Sequence, residues 1–207
     1  MAIWIKICGL TTREAVEAAV AAGADAVGFV FATSKRQVSA TQATQLAQAV
    51  PRKIPRFAVM LHPTQSELDE VWSGFRPDVL QTDAEDLATL RLPAGLAVMP
   101  VIRGGVRLKP DPLQRPPTMI HSRVLFEGPV SGVGNASDWQ SAAQLARTTE
   151  LVLAGGLNAI NVADAIAAVR PFGVDVSSGV EASPGIKDPD RIHEFVRRAR
   201  AASERSS

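Results

Sequence analysis

Near the C-terminal end of the chain, two short apolar runs each finish in small residues. Residues 153–157 read LAGGL and residues 175–181 read DVSSGVE. Each segment precedes a stretch that can begin a helix, so several backbone N–H groups are exposed in one place, which suits a phosphate dianion. In an eight-stranded β/α barrel, phosphate usually binds at the loops after strands seven and eight. The pair therefore predicts both a fold and a phosphorylated substrate.

Cys8 is the only cysteine of the chain and ends the first apolar run. A buried free cysteine is most often an inert small hydrophobe, whereas a thiolate acts as a base or a nucleophile. An ordinary thiol, with a pKa near 8.5, is little ionised at neutral pH, so a functional Cys8 needs a nearby cation. Lys6 lies two residues earlier and points to the same side of a strand. We expect Lys6 to lower the pKa of the thiol.

Three further charged residues follow predicted strand ends. Glu127 is either a solvated loop carboxylate or a general acid facing Cys8, and as an acid it must be protonated, which burial favours. Asp175 either orients a substrate hydroxyl or amine, or is an exposed loop aspartate that bonds the serine N–H groups that follow it. Arg36 is either a solvated charge or a bidentate clamp on a substrate carboxylate.

Short apolar runs alternate with longer amphipathic segments along the whole chain. Strands are predicted at residues 3–8, 26–31, 56–61, 79–81, 96–102, 123–126, 151–154 and 174–176. Helices are predicted at 12–22, 40–50, 64–73, 138–147, 158–169 and 189–201, with residues 85–90 following the fourth strand. This alternation with near-continuous apolar strands predicts a parallel sheet covered by helices. Eight units favour a single (β/α)8 TIM barrel over residues 1–207, with an open doubly wound sheet as the alternative.

Two segments depart from this alternation. Residues 107–117 hold four prolines, and proline removes a helical donor, so the helix after strand five is expected to be reduced or replaced by a loop. Residues 201–207 are small, polar and charged, and are expected to form a flexible tail.

Composition excludes several classes of protein. The net charge of +1 gives no reason to expect a nucleic-acid or membrane partner. One cysteine allows no internal disulfide and fits a reducing cytoplasm. The N-terminus lacks the pattern of a signal peptide, and no apolar run is long enough to span a membrane. The three histidines are scattered and no nucleotide-binding glycine motif is present, so neither a metal nor a nucleotide cofactor is expected.

The chain resembles the phosphoribosylanthranilate isomerase family of tryptophan biosynthesis. The resemblance rests on six blocks distributed over the chain, of which the first and last are specific. They are KICGLT at 6–11, GADAVGF at 23–29, SKR at 34–36 with VS at 38–39, AGGLN at 154–158, DVSSGVE at 175–181 and PGIKD at 184–188.

The resemblance implies a β/α barrel that catalyses an Amadori rearrangement of N-(5-phosphoribosyl)anthranilate without a cofactor. It implies that Cys8 is the general base at the ribose C2 carbon and that Glu127 is the general acid at the ring oxygen. Arg36 would hold the anthranilate carboxylate and Asp175 would contact the substrate near the reacting centre. The phosphate would be held by the backbone of Gly155, Gly156, Ser178 and Gly179. Both a monomer and a homodimer are compatible with the sequence.

Two positions differ from the family pattern. The family usually has Asp where this chain has Glu127, which reaches one methylene further. Many relatives read QLHG after strand four, whereas residues 81–84 read QTDA, so Asp83 occupies the histidine position. Either the histidine is dispensable or the pocket is rearranged. Two alternative functions also stay open: another phosphate-binding barrel isomerase or lyase, and a non-catalytic barrel that binds a phosphorylated metabolite.

Overall fold

Eight parallel strands close into a barrel in chain order. The computed structural model describes residues 2–104, 123–128 and 138–205. The barrel strands are β1 (Trp4–Cys8), β2 (Ala26–Val30), β3 (Arg56–Val59), β4 (Val79–Asp83), β5 (Ala97–Arg103), β6 (Arg123–Glu127), β7 (Glu150–Leu153) and β8 (Gly173–Val176). β8 pairs with β1, placing Asp175 opposite Lys6. The predicted barrel is confirmed, and the open-sheet alternative is wrong.

Helices between the strands cover the outside of the barrel. They are α1 (Arg13–Ala21), α2 (Ala40–Ala47), α3 (Gln65–Phe75), α4 (Trp139–Ala146), α5 (Val162–Val169) and α6 (Pro189–Arg205). Several begin at side-chain caps predictable from sequence, such as the Thr64–Glu67 capping box of α3. After β4 the connection is a short 3₁₀-helix, Ala84–Ala88. An unpredicted hairpin, β9 (Glu181–Ser183) with β10 (Ile186–Lys187), lies between β8 and α6.

Alternation along β1 separates two apolar layers. Ile5 and Ile7 point outward into the core between strands and helices. Trp4 points inward and packs on the barrel interior, which contains Phe57. Lys6 and Cys8 share the inward face, and Lys6 is fully buried, with its Nζ 5.3 Å from the centre of the Phe57 ring. A buried ammonium needs a partner of opposite charge. The Asp175 carboxylate is that partner.

Residues 201–207 and 107–117 were both predicted to depart from the alternation of strands and helices. Helix α6 continues to Arg205, and Ala202 and Ser203 are buried, so residues 201–205 are helical where a flexible tail was expected. The apolar face of the helix continues into this segment, which its polar composition obscured. The proline-rich stretch 107–117 lies outside the described residues. Within the described part of the chain, no helix is both long and apolar enough to cross a membrane.

Candidate active site

One cavity at the carboxyl ends of the strands brings together most of the predicted site residues. Cys8, Arg36, Glu127 and Asp175 all line it. Gly155, Gly156 and Ser178 form the wall supplied by the loops after β7 and β8. Gly179, also predicted to bind phosphate, lies outside the described lining of this cavity. Residues far apart in sequence therefore meet at the end of the barrel where active sites of this fold lie.

The loops after β7 and β8 pack against each other backbone to backbone. Gly155 and Gly156 have φ of 88° and 65°, in the left-handed region that favours glycine. A Cβ at Gly179 would lie 1.9 Å from the carbonyl oxygen of Leu157, so only glycine fits there. Helix α5 begins at Val162, shortly after the β7 loop, whereas the β8 loop leads into the β9–β10 hairpin and not into the helix expected there. The wall thus joins a glycine turn to a serine-containing loop.

Cys8 is a free, buried thiol at the end of β1. Burial raises its pKa, and the nearby Asp175 carboxylate raises it further. The Lys6 and Lys187 ammonium groups act in the opposite direction, Lys6 through its charge and a side-chain hydrogen bond. The expected lowering by Lys6 is present, but burial outweighs it and the net pKa is raised. The raised pKa favours the protonated thiol, so Cys8 depends on the neighbouring cations in order to act as a base.

Lys6 joins Cys8 to Asp175. Its Nζ donates to Asp175 Oδ1 at 3.0 Å in a buried ion pair. Burial lowers the pKa of Lys6, but the charge and hydrogen bond of Asp175, with the neighbouring Cys8, outweigh burial, so the pKa is raised and the ammonium stays charged. Gly28 on β2 provides the space, since a Cβ there would lie 3.0 Å from Cys8 Sγ and 3.2 Å from Lys6 Nζ. Asp175 is thus the counterion of Lys6, whereas the exposed-loop interpretation is wrong.

Arg36 is held at the cavity by a second buried carboxylate. Its Nε and Nη2 donate to the two oxygens of Glu181 at 2.6 and 2.9 Å. Lys187 donates to the same Glu181 at 2.8 Å and to the Ser177 carbonyl at 2.9 Å. Burial opposes ionisation of Glu181, but the hydrogen bonds from Arg36 and Lys187 prevail and lower its pKa to about 2. Glu181 on the hairpin therefore fixes Arg36 and, through Lys187, the β8 loop.

Glu127 contacts an arginine that the sequence analysis did not single out. Arg103 Nη1 donates to Glu127 Oε1 at 2.5 Å, and the same guanidinium binds both oxygens of Asp83. Arg103 ends the apolar run of β5, so the rule that identified the other rim residues, reading what ends each strand, would also have found it. Glu127 is largely buried, but the burial is accompanied by an ion pair with Arg103.

His62 and Asp86 continue this network outward from Asp83. His62 Nδ1 lies 2.9 Å from Asp86 Oδ1, and His62 Nε2 lies 3.5 Å from Asp83 Oδ2. The hydrogen bond to Asp86 raises the pKa of His62. One ligand atom from each of these three residues lies within 4.8 Å of the others. Both Asp83 oxygens already bind Arg103, however, so we describe the group as part of an ion-pair network.

Gln81 is a second lining residue to which the sequence analysis gave no role. Its side chain lies on β4 and is buried. Within the described part of the chain, Oε1 of Gln81 has no hydrogen-bond partner. A buried acceptor without a partner is costly, so this oxygen is suited to accept from a bound molecule.

These features define the class of the protein: a (β/α)8-barrel enzyme whose ionisable groups stand at the carboxyl ends of its strands. The family model of N-(5'phosphoribosyl)anthranilate (PRA) isomerase matches residues 5–198. The chain belongs to this family.

Individual relatives match over almost their whole length. The chain is 40% identical over 216 residues to N-(5'-phosphoribosyl)anthranilate isomerase of Mesorhizobium japonicum, covering 99% of this chain and 98% of the relative. It is 39% identical over 217 residues to that of Rhodopseudomonas palustris, covering 99% of each.

Solved structures agree with this membership. The phosphoribosyl anthranilate isomerase of Thermus thermophilus superposes with a TM-score of 0.82 at 27% identity, covering 98% of this chain and 100% of that one. A phosphoribosyl anthranilate isomerase in complex with reduced 1-(o-carboxyphenylamino)-1-deoxyribulose 5-phosphate superposes with a TM-score of 0.75 at 32% identity. The alignment covers 96% of this chain and 99% of that one.

Proposed function

We propose that this chain converts N-(5-phospho-β-D-ribosyl)anthranilate to 1-(2-carboxyphenylamino)-1-deoxy-D-ribulose 5-phosphate, an Amadori rearrangement in tryptophan biosynthesis. The observation that carries the proposal is that a thiol on β1 and a carboxyl on β6 share one cavity with the glycine and serine loops after β7 and β8. Membership of the isomerase family and the bound ligand of a structural relative support the same reaction.

Ring opening requires a proton at the ribose ring oxygen. In the proposal Glu127 donates it, the bond between C1 and the ring oxygen breaks, and the nitrogen lone pair forms a C=N bond to C1. Glu127 must be protonated when the substrate is bound, because only the acid form can donate. The phosphate and carboxylate of the substrate bring negative charge into the cavity, which favours a protonated carboxyl.

The second step removes the proton from C2. Cys8 takes this proton as a thiolate, after its own thiol proton has passed to solvent. The electrons of the C–H bond form a C1=C2 double bond while those of C=N return to nitrogen. The resulting enol-amine becomes the ketone when its hydroxyl loses a proton and C1 gains one. The buried Lys6 ammonium stabilises the thiolate that begins this step. The two steps need general acid–base catalysis and no redox partner.

Binding groups surround the reacting centre in the proposal. Arg36, fixed by Glu181, offers a cation to the anthranilate carboxylate. The backbone of Gly155, Gly156, Ser178 and Gly179, with the N-terminus of α5, receives the phosphate. Gln81 Oε1 accepts from the anthranilate N–H or a ribose hydroxyl. Asp175 holds Lys6 beside the reacting carbon.

The mechanism sets a condition on the compartment. Cys8 must stay a free thiol, so we propose that the enzyme works in the reducing cytoplasm.

A relative from Thermotoga maritima is described as a dimeric isomerase from which monomers were generated. Sedimentation of this chain across a concentration series distinguishes a monomer from a homodimer.

A direct assay tests the proposed function. The purified chain is mixed with freshly formed phosphoribosylanthranilate, and the change in anthranilate fluorescence is followed. We expect catalysed turnover above the spontaneous rate. Binding without turnover would instead support a metabolite-binding barrel. Absence of both binding and turnover, with activity on another sugar phosphate, would support a different barrel isomerase or lyase.

A further inference from the structure

Arg103 lies between two carboxylates that come from the strands on either side of it. Glu127 ends β6 and Asp83 ends β4, while Arg103 ends the intervening β5. The three side chains are only 13%, 7% and 19% exposed, and all line the cavity. Glu127 and Asp83 are also the two residues that, from the resemblance, were expected to differ from the family pattern. The Arg103 side chain therefore contacts both of these residues.

The strand register brings these groups together. Arg103 is paired with Glu127 across the β5–β6 ladder, and the Gly104 N–H donates to the Glu127 carbonyl at 2.8 Å. Asp83 is paired with Val101, two residues before Arg103 and on the same face. The guanidinium is a planar fork with five donors, so it can bind two oxygens of Asp83 and still donate to Glu127. A lysine at this position cannot reproduce that geometry.

We propose that Arg103 is the positioning residue for Glu127 and that Asp83 is the anchor that holds Arg103 in place. The inference rests on the proposed function, because it requires Glu127 to be the general acid. A glutamate has one more rotatable bond than an aspartate, so its carboxyl needs an external contact to stay in one position. Arg103 supplies that contact. The Asp83 that replaces the family histidine is then a working member of the site.

The position of an acid affects the chemical step more than binding. A misplacement of about 1 Å can cost roughly 10²-fold in rate. Arg103→Met removes the fork but keeps an apolar stem of similar length. We expect this variant to lower kcat by about 10- to 100-fold with KM changed less than about threefold.

A double-mutant cycle separates positioning from a general structural effect. The variants are Arg103→Met, Glu127→Gln and the double variant, each assayed for kcat and KM. If Arg103 acts through Glu127, adding Arg103→Met to Glu127→Gln changes kcat less than about threefold, because the group being positioned can no longer donate. If the kcat losses of the two single variants multiply in the double variant, the proposal is overturned. It is also overturned if Arg103→Met keeps the parental kcat.

A matched control exists at the opposite end of the barrel. Arg56, at the start of β3, binds both oxygens of Asp78 at 2.9 and 3.1 Å. Arg56→Met therefore removes an arginine–aspartate pair of the same kind outside the cavity, and kcat should stay at the parental value. If it falls as far as in Arg103→Met, loss of any such pair explains the effect and the proposal fails.

Two further variants keep the test decisive if Arg103→Met does not fold. Arg103→Lys keeps the charge but loses the fork, and Asp83→Asn weakens the anchor. Each substitution should lower kcat by about tenfold when made in the parent enzyme. When added to Glu127→Gln, each should leave the kcat of that variant almost unchanged. Parental kcat in both overturns the proposal. Absence of turnover in the parent would instead refute the proposed function, and a fully active Glu127→Gln would refute the acid assignment together with this inference.

Discussion

The Nζ of Lys6 lies 3.0 Å from Asp175 Oδ1 inside the barrel, and the same ammonium adjoins the Cys8 thiol. A fully buried lysine is rare unless it is paired, and here the pair is beside the only cysteine of the chain. The relationship makes Lys6 the principal cation available to a Cys8 thiolate. It leads to the first two predictions.

Cys8→Ala should remove the base while leaving the phosphate wall intact. We expect kcat to fall by about 10²- to 10⁴-fold, with binding of inorganic phosphate or a product analogue little changed. Steady-state kinetics and calorimetric binding measure the two effects. Turnover within a fewfold of the parent would show that Cys8 is not the base.

Lys6→Met should raise the pKa of Cys8 further, because it deletes the cation that opposes the effect of burial. The chain has one cysteine and no tyrosine, so the rise in ultraviolet absorbance at alkaline pH reports thiolate formation at Cys8 alone. We expect the midpoint to move upward by about one pH unit or more. The acidic limb of the kcat profile should move in the same direction.

Two companion variants complete this experiment. Gly28→Ala keeps every charge but adds a methyl that would crowd both Cys8 Sγ and Lys6 Nζ, so a smaller upward shift is expected. Lys53→Met removes an exposed lysine and should leave the midpoint unchanged. The groups that face Cys8 are Lys6, Lys187, Arg36 and Asp175. An unchanged midpoint in Lys6→Met would exclude the activating role of Lys6.

Gln81→Met should weaken substrate binding. The substitution keeps the length of the side chain but removes the buried acceptor that has no partner within the described residues. Loss of one neutral hydrogen bond corresponds to about 0.5–1.5 kcal/mol, or roughly a two- to tenfold increase in KM. A KM equal to that of the parent would mean that Oε1 does not contact the substrate.

Glu181→Gln should flatten the acid dependence of stability. The pKa of Glu181 falls from 4.5 to about 2 on folding. Its ionised form therefore stabilises the fold fully above pH 4.5, and this contribution is lost as the pH falls towards 2. Urea unfolding at pH 7, 4 and 3 should show a smaller decrease for the variant than for the parent.

Glu194→Gln is the matched control for this prediction. Glu194 also has a pKa of about 2, from Arg197 and Arg198, but it pairs with them on the surface of α6. Solvent screens that pair, so its removal should change the pH dependence less. An equal effect of both substitutions would argue against a special role for the buried Arg36–Glu181–Lys187 cluster.

The barrel and most of the rim were predictable because both follow local rules. Apolar runs alternate with helical segments, and the residues that end strands β1, β6 and β8 lie where this fold places its chemistry. Arg103 ends β5, so the same rule could have found it, but its contacts depend on neighbours across the ladder, which β-strand pairing determines. Gln81 was missed because its significance is a buried oxygen without a partner among the described residues, which only the packing reveals. Asp83 could be singled out from the sequence, but its pairing with Arg103 could not, because their contact joins two different strands.

Two features could not be predicted from local sequence. The β9–β10 hairpin is too short to give a periodic pattern, although it carries Glu181 and Lys187. The lowering of the Cys8 pKa by Lys6 was expected from their spacing, whereas the depth of burial that outweighs it could not be read from sequence. In both cases the missing information was the packing around the residue.

Gly179 bears on how such a barrel could be recombined. Since nothing larger than hydrogen is tolerated against the Leu157 carbonyl, the eighth loop fits only a seventh loop of matching shape. A chimera that takes its last strand and helix from another protein would therefore have a clash or a gap where Gly179 packs on the Leu157 carbonyl. Protein engineers should therefore transplant the two loops as one cassette, with a crossover point before β7.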